Sequence, residues 1–286
     1  MKVPASRSLQ IAALVGLTIL VYLPSLRCGY IWDDDAYVVS NRTVQSDDAL
    51  RHIWTKPRSL PQYYPLVHTT YWVEYRLWGL DPLGYHLVNV LLHTLGAVLL
   101  LCVLRKLNVP AAWVAAAVFA VHPIHVESVA WITERKNVLS GAFYFGSLLT
   151  YLNWRPFGEG QQAKRHWMYV MAFVLFLCAL LSKSITASLP AAMLVLTWWK
   201  RGRIRWQDVL PLLPMLAVGM LLGLHTSHLE KYHVGAMGPE WEFTLLERIL
   251  IAGRSAWFYV GKLIWPYPLV FIYPRWVIDP AVSWQY

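Results

Sequence analysis

The chain has 286 residues, of which 57% are hydrophobic and 14% are charged. A soluble domain usually carries about a quarter charged residues, so this composition excludes an ordinary water-soluble core and favours a lipid bilayer as solvent. The formal net charge of +9 would suit a nucleic-acid partner, but the basic residues form short clusters between apolar runs, which argues against one. The cysteines predict no disulfide framework, since Cys102 and Cys178 lie inside apolar runs.

Apolar runs that approach the length of a spanning helix, about 20 residues, recur along the chain. The first, Leu9–Leu26, follows a short basic start without a cleavage pattern and predicts an uncleaved signal anchor. Seven more runs follow, the last of them interrupted by charges: Tyr85–Leu104, Ala111–Ile132, Val138–Trp154, Trp167–Leu181, Ile185–Trp199, Asp208–Leu224 and Leu245–Trp265. The sequence therefore predicts an all-α, polytopic membrane helix bundle of about eight transmembrane helices, forming one membrane domain over residues 1–286.

The basic residues also predict an orientation, because positively charged loops stay in the cytoplasm. With a cytoplasmic N-terminus, eleven basic residues, among them Lys2 and Lys164, fall on the cytoplasmic side, and four fall in the short loops of the other side. This orientation places residues 27–83, 133–137 and 225–244 on the outer face. The first of these ranges is a long outer loop, and the last is a second outer loop.

Three successive carboxylates, Asp33, Asp34 and Asp35, open the first outer loop among aromatic residues. Neighbouring like charges disfavour one another, so a divalent cation, a cationic partner or solvent has to offset them. Two interpretations stay open: a solvated turn that caps the next helix, or a general base that takes the proton of an acceptor hydroxyl, with or without a metal. Farther along, residues 46–54 and 66–77 are predicted as short amphipathic helices, which lie flat on the membrane or pack on the bundle.

Polar residues cluster again where the third apolar run ends. His122, His125 and Glu127 suggest a metal site, but their spacing does not share one helix face, and a hydrogen-bonded polar network is the alternative. Arg135 and Lys136 suit a phosphate or a lipid headgroup, and ordinary snorkelling to the interface is the alternative.

Lys183 stands alone between two apolar runs, and the same two interpretations apply to it. His86, Asn89 and His93 share one face of the second helix and are predicted to point into the bundle. The sequence has no Gly-rich phosphate loop, nucleophile elbow or Cys-x-x-Cys pair, which disfavours a cytoplasmic nucleotide-sugar enzyme. Acidic and basic residues that face each other on the outer side favour a lipid-linked donor instead.

Several motifs carry a family resemblance: Gly29–Asp35, Tyr64–Leu66, Gly79–His93, His122–Ser140 and, more weakly, Leu263–Leu269 with Tyr273–Pro274. On these motifs the chain resembles the membrane part of the transmembrane and tetratricopeptide-repeat-containing proteins and their bacterial relatives. More broadly, it is similar to the GT-C superfamily of polyprenyl-phosphate-sugar-dependent glycosyltransferases, which includes the protein O-mannosyltransferases. The resemblance implies a GT-C-like multi-pass protein of a bacterial inner membrane, with its active site on the outer face.

The resemblance also implies an activity and a set of site residues. A mannose-like sugar would pass from a polyprenyl-phosphate donor, held among membrane lipid, to a hydroxyl of a protein or glycolipid acceptor, without nucleic acid. Asp33 and Asp34 would be catalytic, and with Asp35 they are the residues that would hold a divalent cation. The residues implied for the lipid phosphate and its cavity are Arg135, Lys136, Lys183, Glu134, His122 and His125.

Members of the family usually continue into tetratricopeptide repeats, and this sequence shows no repeat of about 34 residues. We therefore expect either a short protein or a truncated product. The alternative function is a non-catalytic membrane protein that binds a lipid-linked sugar or assists assembly. A transporter is disfavoured, because the sequence shows no inverted repeat.

Overall fold

The computed structural model describes residues 7–157, 165–235, 237, 238, 241–276 and 282. Lys2 and Lys164, which entered the count of basic residues, lie outside this part of the chain. The described residues form helices and no β-strand, which confirms the predicted all-α class. Residue contacts divide the chain into two compact units, residues 1–229 and 230–286.

The first unit carries the α-helices that are named α1 to α12 here. Short 3₁₀ or π-helical turns join several of them. Their bounds are Arg7–Tyr22 (α1), Arg42–Gln45 (α2), Ala49–Thr55 (α3), Pro65–Trp78 (α4), Pro82–Lys106 (α5), Ala112–Val121 (α6), Val126–Ala130 (α7), Arg135–Trp154 (α8), Trp167–Ser182 (α9), Leu189–Arg201 (α10), Trp206–Val209 (α11) and Leu213–Leu229 (α12).

Three helical segments of the described chain are long and apolar enough to cross a membrane: Arg7–Arg27, Pro82–Lys106 and Trp206–Val234. Helix α6 and the segment Pro123–Ala130 add a fourth if they form one span, bent by 48°. The bend follows from Pro123, which has no backbone N–H to continue a helix. These segments confirm a membrane helix bundle, and the larger predicted number of spans stays a prediction.

Helix α8 is central to the packing of the first unit. It contacts α5 and α9 along its length, and its Leu148 and Tyr151 belong to a buried cluster that also includes Phe176 of α9 and Met215 of α12. Small residues let α1, α5 and α6 approach closely, because Ala97 and other alanines form most of the buried contact there. The apolar runs therefore pack on one another as well as facing lipid.

The long loop after the first helix is folded onto the bundle. The predicted helix over 66–77 is α4. The predicted helix over 46–54 corresponds to α3, and the short helix α2 precedes it. Val67 and Tyr71 of α4 are completely buried, in a cluster with Tyr85 and Ile132. Of the two interpretations of these short helices, packing on the bundle is the one that the structure confirms.

Some predicted boundaries differ from the structure. Helix α12 continues to Leu229, past the predicted start of the second outer loop at residue 225. The predicted run Ile185–Trp199 is a 3₁₀ turn, Ser184–Ser188, followed by α10. Pro190 occupies the first turn of α10, where a missing N–H costs no hydrogen bond.

The second unit contains one α-helix in its described residues, Leu245–Ile264 (α13). Thr244 caps the helix, since its hydroxyl accepts a hydrogen bond from the Glu247 N–H at 3.3 Å. The Glu247 carboxylate in turn accepts one from the Thr244 N–H at 2.6 Å, which completes a capping box. The predicted eighth apolar run is therefore helical.

Glycines of α12 offer a matched test of the packing. A Cβ on Gly219 would lie 3.3 Å from the Cβ of Ala187 and 3.6 Å from the Cζ of Phe176, whereas one on Gly223 would meet no heavy atom within 4 Å. We expect Gly219→Leu to destabilise the protein by about 1–3 kcal/mol through overpacking. Gly223→Leu should be neutral or stabilising, because leucine favours a helix over glycine by up to about 1 kcal/mol. Thermal unfolding in detergent measures both, and equal losses would contradict this packing.

Candidate active site

The polar residues of the site meet at the start of α8. A 3₁₀ turn, Ile132–Glu134, leads from the bent segment into the helix, which begins at Arg135. Thr133 is completely buried, and Glu134, Lys136 and Asn137 are half-buried. This run of residues, 133–137, contacts both the acidic motif at 33–35 and the folded loop behind it.

Asp34 fastens the acidic motif to this run. Its side chain is completely buried, and its two carboxylate oxygens accept backbone hydrogen bonds from the N–H groups of Ile31 and Thr133, each at 2.9 Å. Burial raises the pKa of Asp34 above its ordinary value, although the two N–H groups act in the opposite direction. Because both oxygens accept backbone hydrogen bonds, Asp34 holds the motif in place. A catalytic role for Asp34 stays a prediction, and this burial favours Asp33 for that role.

Asp33 is the carboxylate of the motif that is both held and accessible. It is half-buried, and its Oδ1 accepts a hydrogen bond from the Thr133 hydroxyl at 2.6 Å. Asp35 is exposed and begins a short π-helix, Asp35–Val39. The three aspartates therefore have different environments, and Asp33 has the environment that suits a general base.

Arg135 lies behind the site and is completely buried. Its guanidinium donates hydrogen bonds to the Glu74 carboxylate, to Asn89 Oδ1 at 2.7 Å and to the carbonyl oxygen of Tyr85 at 2.7 Å. It also stacks on the ring of Tyr71, with its Cζ 5.0 Å from the ring centroid. Phosphate binding by Arg135 stays a prediction, and this burial favours Lys136 and Lys183 for that role.

Glu74 is the ionic partner that makes a buried arginine tolerable. Its side chain is 4% exposed, and it contacts Arg135 directly. Burial raises the pKa of the Glu74 carboxyl, and the Arg135 guanidinium opposes that shift. Glu74 was not identified from the sequence. It lies three residues after Tyr71 and seven after Val67, on the buried face of α4, and a carboxylate at this helical spacing is the signal that could have identified it.

Lys136 and Lys183 belong to one polar network. Lys136 Nζ pairs with Glu134 at 2.8 Å, and Lys183 Nζ donates to the side-chain oxygen of Asn137. Asn137 also donates to Glu134 and to the Ser128 hydroxyl, the latter at 2.9 Å. Burial lowers the pKa of Lys183, while nearby Glu134 raises it in part. Three of the predicted residues are thus brought together, through an asparagine that sequence reasoning missed.

The two histidines have other neighbours. His122 Nδ1 accepts a hydrogen bond from the Ile124 N–H at 3.3 Å, so its side chain caps the turn that follows it. His125 lies with its ring centroid 4.5 Å from that of Phe119 and 5.3 Å from that of His93. His86, Asn89 and His93 are buried, as predicted for one inward face of α5.

In the described residues no three His, Cys, Asp or Glu side chains are grouped so that they could hold a metal ion. Both oxygens of Asp34 accept hydrogen bonds from backbone N–H groups, whereas the half-buried Asp33 and the exposed Asp35 are the more accessible carboxylates of the motif. A divalent cation at residues 33–35 stays a prediction.

The fold and the site define an all-α membrane protein in which the run 133–137 contacts an accessible carboxylate, Asp33, and holds a polar network with two lysines. Comparison with curated proteins identifies relatives that are similar in sequence to part or most of this chain. The chain is 32% identical over 152 residues to human "Protein O-mannosyl-transferase TMTC3", which covers 50% of this chain and 17% of that protein. It is 35% identical over 147 residues to "Protein O-mannosyl-transferase tmtc2" of Xenopus laevis, covering 48% and 18%.

The alignment with "Protein O-mannosyl-transferase Tmtc2" of Drosophila melanogaster is longer. It covers 259 residues at 29% identity, which is 84% of this chain and 26% of that protein. These matches confirm the predicted resemblance, and the chain spans about one sixth to one quarter of the length of these relatives. No family model and no solved structure matches the chain.

The Glu74–Arg135 pair allows a matched test within α4. We expect Glu74→Gln to destabilise the protein by about 3–5 kcal/mol, because it leaves a buried guanidinium without its counter-charge. The control is Asp47→Asn, which removes the partner of Arg76 in a pair whose side chains are 96% and 44% exposed. Such a surface pair contributes about 1 kcal/mol or less. Urea unfolding in detergent compares the two, and similar losses would contradict a structural role for the buried pair.

Proposed function

We propose that this chain carries the transfer site of a GT-C-type glycosyltransferase, which moves mannose from a polyprenyl-phosphate donor to a hydroxyl of a protein acceptor at the outer membrane face. The observation that carries this proposal is the arrangement around residues 133–137. An accessible carboxylate, Asp33, and two lysines, Lys136 and Lys183, are held by neighbouring positions of one run. The names of the relatives support mannose as the sugar and a protein as the acceptor.

The proposed reaction needs one base and one site for the leaving phosphate. The Asp33 carboxylate takes the proton of the acceptor hydroxyl as its oxygen forms a bond to the anomeric carbon of the sugar. The bond from that carbon to the phosphate oxygen breaks, and the phosphate leaves with the electron pair. Attack from the opposite face inverts the anomeric configuration. Lys136 and Lys183 stabilise the charge that develops on the phosphate.

The buried residues take part by positioning. Asp34 holds the acidic motif against Thr133, and the Thr133 hydroxyl orients the Asp33 carboxylate. Glu134 pairs with Lys136, so it sets the direction of that ammonium group. Each reactive side chain is therefore fixed by a neighbour, which is how an active site limits the reorganisation that a reaction requires.

The aspartates of the motif provide a test of the base. Asp33→Asn should lower the rate of mannose transfer by about 100-fold to 10,000-fold, the usual contribution of a general base. Asp35→Asn removes the same charge two residues away, at an exposed position, and should leave the rate within a few-fold of wild type. The assay is transfer from polyprenyl-phosphate mannose to an acceptor peptide by the full chain in proteoliposomes. Full activity of Asp33→Asn would contradict the assignment, and donor binding without transfer by the wild type would favour a non-catalytic binder.

The pH dependence of donor binding tests Lys183. Burial lowers the pKa of Lys183 below its ordinary value, which is about 10.4. Its charge, and with it phosphate affinity, should therefore be lost as the pH rises through that lowered pKa. Lys183→Arg stays charged in this range and should retain affinity at higher pH. The measurement is the Kd of a short-chain polyprenyl phosphate between about pH 7 and pH 10. Identical profiles for the two proteins would show that Lys183 does not bind the phosphate.

A further inference from the structure

A second charged site lies at the other end of α8. The helix has 20 residues, which corresponds to a length of about 30 Å. Around its C-terminal end is a cavity of about 330 Å³. Three basic residues line it, Arg105 and Lys106 at the end of α5 and Lys200 at the end of α10. The other lining residues include Asn108, Leu152 and Phe157.

The connections that supply most of the lining residues are strongly basic in sequence. The connections 105–112, 155–166 and 200–208 contain two, three and four basic residues, against two carboxylates, Asp208 and Glu159. Asp208 is buried and pairs with Arg155 at 2.9 Å and with Arg201 at 2.7 Å. Glu159 lies outside the described residues.

Among the described residues, the lysines that line the cavity have no such partner. In the described part of the chain, no carboxylate pairs with Lys106 or Lys200. Lys106 is exposed, and the half-buried Lys200 places its Nζ 4.0 Å from the ring centroid of Trp199. An alternative role for these lysines is to offset the helix dipoles, because cations are favourable near helix C-termini. That role does not require the lysines to share a cavity.

The position of the cavity is that of a membrane interface. Lys106 ends the apolar segment Pro82–Lys106, which is long enough to span a bilayer. Three tryptophans at the same end, Trp198, Trp199 and Trp206, are 59%, 55% and 78% exposed. Indole rings favour the level of the lipid headgroups. A hydrocarbon core is about 30 Å thick, which is also the length of α8, so the two ends of this helix are separated by about the thickness of that core.

We propose that this cavity binds the phosphate of an anionic phospholipid headgroup, with Lys106 and Lys200 as its ligands and Arg105 beside them. Its volume is at the lower end of the range for small-molecule sites, about 300–1,000 Å³, which suits a headgroup. Basic pockets between transmembrane helices are suited to this class of ligand. The site is separate from the proposed transfer site and does not depend on its chemistry.

The test is native mass spectrometry of the full chain from nanodiscs of phosphatidylcholine that contain phosphatidylglycerol. The wild type should retain phosphatidylglycerol. The double variant Lys106→Gln/Lys200→Gln should lose affinity by on the order of 30-fold, since each basic residue near a membrane surface contributes about 1 kcal/mol. The matched control is Arg42→Gln/Arg51→Gln, which removes the same charge from exposed positions of the folded loop and should retain the lipid. Lys106→Arg/Lys200→Arg should also retain it.

Three results would overturn the proposal. Equal retention by the Lys106→Gln/Lys200→Gln variant and the wild type would exclude these lysines as ligands. Affinity for soluble glycerol phosphate as high as for phosphatidylglycerol would assign the cavity to a free phosphate compound instead of a lipid. If the wild type retained no phosphatidylglycerol and the Glu159→Gln variant did, the lysines would be paired with Glu159 and would not bind the lipid in the natural chain.

Discussion

The buried ion pair between Glu74 and Arg135 is the interaction on which the rest of the site depends. It joins parts of the chain that are distant in sequence: α4 of the folded loop, the first turns of α5 and the start of α8. A buried guanidinium without a counter-charge is very unfavourable, so α8 begins as observed only when α4 is folded against it. The loop after the first helix is thus an integral part of the bundle.

The groups proposed for the chemistry are neighbours of this pair along the chain. Thr133 lies two residues before Arg135. Its N–H donates a hydrogen bond to Asp34, and its hydroxyl donates one to Asp33, which orients that carboxylate. Lys136, one residue after, points to the network that includes Lys183. The residues that hold Asp33, Lys136 and Lys183 therefore all lie within two positions of one buried arginine. The second basic site lies at the C-terminal end of the same helix, α8.

Much of the fold was predictable because its signals are local. Apolar runs of spanning length, proline at a break and the inward face of His86, Asn89 and His93 are properties of contiguous sequence. The site was predictable in part, since Asp33, Lys136 and Lys183 are conspicuous polar residues beside apolar runs. Arg135 has the same local signal as Lys136, but a partner on α4 places it in the interior. Nothing local distinguishes these two residues, because their difference arises from packing between segments about 60 residues apart.

The most direct test of this account is an experimental structure of the full chain with a bound polyprenyl phosphate. The account predicts that the phosphate contacts Lys136 and Lys183 and that Asp33 lies on the same side of the protein as the bound phosphate. Arg135 should remain buried against Glu74, without contact to the ligand. A phosphate bound to Arg135 with the Glu74 pair broken, or a phosphate on a surface that Asp33 does not share, would contradict the account.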